Sequence, residues 1–190
     1  MDRGYIYLNK KSFLNNLEIL KNLSRKELCL VVKANAYGHG LEWAVKNAKE
    51  SGIKWFAVAS VDEGIQVKKV YEESRVLLLA EPSKIQLENI KENDIDLTVY
   101  NESFIDTLIE TGDEYSVHLK IDTGMHRLGC PPEKFYNLYK KIVDSDLNLI
   151  GICTHFPMAD TDETETKKSI ELFEKTISDI DSANMLLHVD

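Results

Sequence analysis

The chain has 190 residues, 43% of them hydrophobic and 29% charged, the profile of a soluble globular domain long enough to bury a core. Its 32 acidic and 23 basic residues give a formal net charge of -9, and no basic stripe is visible, which argues against nucleic acid as a partner. No stretch approaches the ~20 apolar residues that cross a bilayer, so a membrane partner is not expected either.

Short apolar runs that read as buried parallel strands alternate along the chain with segments of helical period. Residues 5–8 predict a lone strand, and the helix after it carries Phe13, Leu17 and Leu20 on one face. A first buried strand is predicted over 28–32. Its helix places Leu41, Ala44, Val45 and Ala48 on one face and is closed by Gly52. The second strand, 55–59, is followed by a helix that opens with Ser60 three residues before Glu63, the spacing of a capping box. The third, 76–79, precedes a helix with Ile85, Leu87 and Ile90. The fourth, 97–100, leads into a helix with Asn101 as N-cap and Gly112 as C-cap. The fifth, 117–121, leads to a helix that starts at Pro131 and Pro132 and presents Phe135, Leu138, Tyr139 and Ile142. The sixth, 149–153, leads to one that presents Ile170, Phe173, Ile177 and Ile180, and a seventh strand is predicted over 185–189.

Strict alternation of strand and helix implies right-handed βαβ units and a parallel sheet, hence an α/β fold. An open doubly wound sheet and a (β/α)8 barrel both satisfy the pattern. Both place ligands at the C-terminal edge of the strands, where polar residues cluster after the first, fifth and sixth. A barrel needs eight strands to remove its open edges, and about seven are counted. Cys29, Cys130 and Cys153 are odd in number and lack a CxxC pair, which argues against a disulfide framework or a thiolate zinc site. Cys29 and Cys153 sit in apolar runs and are expected to be buried. The opening MDRGYIYLNKKSF has no apolar stretch of signal-peptide length, so the cytoplasm is the default location.

Three segments carry candidate chemistry. In Val31-Val32-Lys33-Ala34-Asn35-Ala36-Tyr37-Gly38-His39-Gly40, a lysine ends a wholly apolar strand, where an unpartnered ammonium is costly. Such lysines serve as Schiff-base formers, although a lysine snorkelling from a strand end into solvent fits these ten residues equally well. The glycines allow close backbone approach, Tyr37 offers a hydroxyl to an anion, and His39 reads as a loop or core histidine. In His118-Leu119-Lys120-Ile121-Asp122-Thr123-Gly124-Met125-His126-Arg127-Leu128-Gly129, an Asp-Thr-Gly turn aims an arginine toward the ligand edge. A surface arginine paired with a carboxylate is the commoner meaning of such a residue. In Gly151-Ile152-Cys153-Thr154-His155-Phe156-Pro157-Met158-Ala159-Asp160, a histidine follows a buried strand, most often as a hydrogen-bonded core residue.

Together these segments resemble, in order and at compatible separations, the motifs of the bacterial alanine racemases. The resemblance implies a TIM-type (β/α)8 barrel that binds pyridoxal 5'-phosphate, incomplete here at its C-terminal end. Residues 1–190 would form the N-terminal, cofactor-binding part, with the family's C-terminal β domain absent. It implies Lys33 as the Schiff-base lysine and Tyr37 as a ligand of the cofactor phosphate. Arg127 would face the cofactor's phenolic oxygen and the substrate carboxylate, and His155 would pack on the pyridine ring. Lys120 matches the lysine that is carbamylated in some members and braces the arginine. His126 stands where the family usually has glycine, and a side chain there is expected to alter the turn that places Arg127.

The implied reaction is interconversion of L- and D-alanine, supplying D-alanine for cell-wall peptidoglycan. Lys33 would act on one face of the substrate carbon, and a tyrosine of the partner subunit in a homodimer on the other. The residues present are expected to bind the cofactor weakly and to racemise poorly on their own. Racemases of serine or a basic amino acid, a non-catalytic pyridoxal-phosphate module and a ligand-free interaction fragment are the rival readings.

Overall fold

The computed structural model describes residues 4–189; residues 1–3, the start of the MDRGYIYLNKKSF segment, and Asp190 lie outside the described residues. The chain divides into two compact units, Met1–Asp96 and Leu97–Asp190, with the boundary inside one strand.

The first unit holds α1 (Lys10–Ser24), β1 (Cys29–Val31), a one-turn element α2 (Lys33–Tyr37), α3 (Leu41–Glu50), β2 (Trp55–Val58), α4 (Val61–Val70) and β3 (Arg75–Leu78). A 3-10 turn (Lys84–Gln86), α5 (Leu87–Glu92) and the opening of β4 (Ile95–Val99) follow. β2 pairs in parallel with β1 and with β3, Leu30 lying opposite Phe56 and Phe56 opposite Val76. Phe56, Ala57 and Val58 of β2 and Val76, Leu77 and Leu78 of β3 are all buried, as expected for parallel strands covered on both faces. α3 lays Leu41, Ala44, Val45 and Ala48 into this core, the face its period predicts. Gly64 lets α4 come close, because a Cβ there would stand 2.8 Å from Ile95 Cδ1. At the opposite edge from α2, Arg75 lies 4.7 Å from the centre of the Trp55 ring and pairs at 2.7 Å with the fully buried Asp96.

The second unit continues with the rest of β4, α6 (Glu102–Thr111), β5 (Ser116–Lys120), α7 (Pro132–Val143), β6 (Asn148–Thr154), α8 (Glu163–Thr176) and β7 (Leu186–Val189). Its strands pair in parallel in chain order, with Thr98 opposite His118, Lys120 opposite Cys153 and Cys153 opposite His188. A register shift moves β6 by one residue, so that Val117 faces Leu149 but His118 faces Gly151. Gly151 is required there, since a Cβ would meet Leu186 O at 2.6 Å and His118 Nδ1 at 2.8 Å. The vacated space lets His118 Nδ1 lie 2.9 Å from His188 Nε2. The signals read for α6 hold: Asn101 accepts the Ser103 N–H to cap it, and Gly112 ends it at φ 69.

Several expectations are corrected. Residues 4–9 form no strand, and Tyr5 is 97% exposed; β-propensity alone supplies no partner for a lone strand's backbone groups. The covered side of α1 centres on Leu17 with Phe13 half-buried, and Leu20 is exposed. Cys29 is exposed at the outer start of β1, whereas Cys153 is buried as expected. Ile85 falls in the tighter 3-10 turn, off the face that buries Leu87 and Ile90, and is exposed. α8 ends at Thr176, so Ile180 lies beyond it.

Candidate active site

In the first unit the chain leaves β1 through buried Val32 and enters α2, where Ala34, Asn35, Ala36 and Tyr37 all have φ between 51 and 54. This is a turn of left-handed helix built from L-residues, a conformation that costs roughly 1–2 kcal/mol per residue. It is held by hydrogen bonds in sequence. Val32 O accepts from Ala36 N at 2.8 Å, and Asn35 O accepts from Gly38 N at 3.1 Å and Gly40 N at 2.9 Å. Asn35 Oδ1 accepts from Leu41 N at 2.8 Å, which ties the turn to the start of α3. Glu63, in the first turn of α4, accepts Asn35 N at 3.4 Å on one carboxylate oxygen and Ala59 N at 3.0 Å on the other.

This corrects one sequence reading. The Ser60–Glu63 box is half formed: Ser60 Oγ accepts Glu63 N at 3.3 Å, but the Glu63 carboxylate turns to Ala59 and Asn35. A Cβ at Gly38 would meet no protein atom within 4 Å, and the φ values of Gly38 and Gly40, 84 and 91, favour glycine. The amides of Gly38, His39 and Gly40 are bonded within the turn, so an anion beside it must be met by side chains. His39 is a loop histidine whose Nδ1 lies 2.9 Å from Ala36 O.

The left-handed turn brings two predicted residues together. Lys33 is half-buried, Tyr37 is exposed, and Lys33 Nζ lies 5.9 Å from the centre of the Tyr37 ring. An amine near a phenol ring is a donor set that fits an aldehyde-bearing, phosphorylated pyridine. Behind the turn a cavity of about 210 Å³ is lined by Val31, Ala36, Tyr37, His39 and Trp43 among others, and Lys33 does not line it.

In the second unit β5 ends at Lys120, which is buried despite its charge type, and the chain then makes an excursion over residues 122–129. Its base is pinched by Asp122 N donating to Cys130 O and Cys130 N to Lys120 O, both at 2.9 Å. Three hydroxyls lock it to its neighbours. Thr154 Oγ1, at the end of β6, donates to Ile121 O at 2.9 Å, so Thr123 is the donor in the 2.7 Å contact between the two threonine hydroxyls. Ser169 Oγ of α8 donates to Thr123 O at 3.0 Å. Asp122 Oδ1 accepts the amides of Gly124 at 2.9 Å and His126 at 3.0 Å. Burial pushes the Asp122 carboxyl up, but these amides and the nearby His126 ring outweigh it and leave its pKa below the ordinary value. Burial pushes the neighbouring Cys130 thiol up to about 12, which makes it chemically quiet.

His126 adopts φ 54, the backbone for which glycine is the easy choice. Its side chain points into solvent and its amide is held by Asp122, so the turn forms with histidine in place. Gly129 cannot be replaced in the same way, because a Cβ there would stand 2.6 Å from Asp122 N. Arg127 is presented on the exposed part of this loop, and His155 is half-buried just after β6. The sequence offered Lys33, Tyr37, Lys120, Arg127 and His155 as candidates, and did not point to Glu63 as a partner of the turn or to the Thr123–Thr154–Ser169 relay. The one available signal was a hydroxyl residue at or just past the ends of β5 and β6.

The alanine racemase N-terminal domain model matches residues 8–189, and the chain belongs to that family. The alanine racemase of Treponema denticola is 35% identical, over 96% of this chain and 51% of its own length. An amino-acid racemase of Enterococcus faecalis is 33% identical, over 93% of this chain and 26% of its own. Among solved structures, the alanine racemase of Clostridium difficile 630 matches with a TM-score of 0.84 and 29% identity, covering 96% of this chain and 53% of that one. The fold class is therefore α/β of the TIM-barrel type, with seven parallel strands among the described residues. The chain spans about half the length of the alanine racemases it matches.

Proposed function

We propose that this chain is the cofactor-holding part of a pyridoxal-phosphate-dependent alanine racemase, which interconverts L- and D-alanine and supplies D-alanine to cell-wall peptidoglycan. The observation that supports this most is the left-handed turn α2, which sets the Lys33 amine beside the Tyr37 phenol. What the cofactor supplies when bound is an electron sink for the pair left behind as the α-proton departs. Lys33 anchors it through Nζ. The same nitrogen would move a proton at the substrate α-carbon on one face, that of the D-enantiomer. Tyr37 would help hold the cofactor through its phosphate, and His155 would help hold and orient its ring.

The planar fork of Arg127 binds the substrate carboxylate in two-point contact, which a lysine would not reproduce. Lys120, carried as a carbamate, would turn a like-charge neighbour of Arg127 into an anion that braces it. The opposite face of the carbon is served by a group from the partner subunit of a cytoplasmic homodimer.

The test is Lys33→Ala in the full-length protein. Borohydride-trapped pyridoxal phosphate and alanine racemisation should both be lost, and survival of either overturns the reading. The Enterococcus faecalis relative, described only as an amino-acid racemase, favours a second reading in which the substrate is another amino acid. Comparing kcat/KM for alanine, serine and lysine decides between them.

A further inference from the structure

We infer that Glu63 is a positioning residue for Lys33: its carboxylate clamps the left-handed turn to the end of β2 and so fixes where the lysine amine stands. The inference rests on the reading of Lys33 as the cofactor lysine.

Three observations carry it. Glu63 belongs to neither β1 nor α2, yet it accepts one amide from each of two neighbouring strand exits, Asn35 N after β1 and Ala59 N after β2. A carboxylate has two acceptor oxygens and no proton to offer, so it satisfies both donors at once. It also stands in the first turn of α4, where the helix dipole favours a negative charge. Asn35, in turn, is the hub of α2. Its carbonyl accepts Gly38 and Gly40, its side chain accepts Leu41, and its amide goes to Glu63.

Four L-residues in series do not stay left-handed unless the surroundings over-determine them. Among the described residues, the Glu63 bond to Asn35 reaches this hub from outside the turn and its following helix. Without it, the segment between Lys33 and Tyr37 is free to relax toward extended or right-handed backbone. The amine and the phenol would then part.

The experiment compares the full-length native protein with Glu63→Ala, Glu63→Gln and a control, Asn9→Ala. Asn9 caps α1 by accepting the Ser12 amide and takes no part in the hydrogen bonds described above that hold α2, so its loss should lower stability without loosening the turn. Two readouts are taken: hydrogen exchange of the amides over residues 34–41, and pyridoxal phosphate trapped on Lys33 by borohydride and located by mass spectrometry. In Glu63→Ala, exchange over 34–41 should accelerate, and attachment at a fixed low cofactor concentration should weaken roughly ten- to a hundredfold, the loss of hydrogen bonds to a charged acceptor. Glu63→Gln, with one acceptor oxygen left, should fall between. Asn9→Ala should change neither readout at matched thermal stability.

Unchanged exchange over 34–41 in Glu63→Ala overturns the clamp. A weakening that Asn9→Ala reproduces overturns the positioning role, since it would then track stability alone. If the native protein takes no cofactor on Lys33 while Glu63→Ala still loosens the turn, the reading of Lys33 has failed, and the inference falls for that separate reason.

Discussion

The turn after β1 and the loop after β5 both carry left-handed backbone beside side chains of the proposed chemistry, and they are held in opposite ways. The first places ordinary L-residues in the disfavoured region four times running and secures them with backbone hydrogen bonds and one distant carboxylate. A Cβ at its Gly38 would meet nothing within 4 Å, and one at Gly40 only an ordinary contact with Trp43 at 3.7 Å. The second puts glycine where backbone crowds it, at Gly129, and secures the excursion with buried hydroxyls and an aspartate. Strain held by a network and shape held by packing should respond differently to substitution.

The largest effect is expected at Gly129. Gly129→Ala would drive a Cβ into Asp122 N and Ile121 C, at 2.6 and 2.8 Å, neither of which can rotate away. A loss of about 4 kcal/mol in chemical denaturation is expected, and a change under 1 kcal/mol would show that the loop is not packing-limited. Next comes Thr154→Val, which keeps shape but leaves Ile121 O and the Thr123 hydroxyl without their partner in a buried place. A loss of about 2 kcal/mol should follow. Gly38→Ala, in contrast, meets no atom and suffers only its φ of 84. The expected loss is about 1 kcal/mol, and a loss as large as that at Gly129 would erase the distinction between the two regions.

Much of this was legible in the sequence, and what was not has particular causes. The apolar runs located β1 to β7 to within a residue or two, and Asn101 with Gly112 bounded α6, because burial and capping are local properties. The handedness of α2 was not legible. Ala-Asn-Ala-Tyr contains good right-handed helix formers, and propensity points away from what tertiary hydrogen bonds impose. The Ser60–Glu63 spacing was read as a local box, whereas the carboxylate serves a partner 28 positions earlier, which no spacing rule reaches. The candidate lysines, arginine and histidine were found because long motifs carry them. The hydroxyl relay was missed because Thr123, Thr154 and Ser169 are far apart in the chain and each is unremarked alone.

The two smallest effects concern the loop. His126→Gly should stabilise the protein by about 0.5 kcal/mol, relief of left-handed backbone slightly exceeding the entropy that glycine loses on folding. Thermal melts of the two proteins at neutral pH measure it, and a destabilisation would mean that the His126 ring, 3.6 Å from Asp122, contributes more than its exposure suggests. The Asp122 carboxyl has a folded pKa below its ordinary 3.8. Its contribution is therefore complete above that value and is lost as pH falls through the lower, folded one. Denaturation midpoints between pH 5 and pH 2 (roughly the range over which a lowered Asp titrates) should fall more steeply in the native chain than in Asp122→Asn.

The reversed hand of α2 also limits how this stretch can vary. At positions 34, 36 and 37 the genetic code offers few residues at ease in that well, chiefly glycine, asparagine and aspartate, while valine, isoleucine and threonine are disfavoured however much room surrounds them. The segment beside Lys33 is thus held to a narrow alphabet by stereochemistry before any demand of catalysis is made on it.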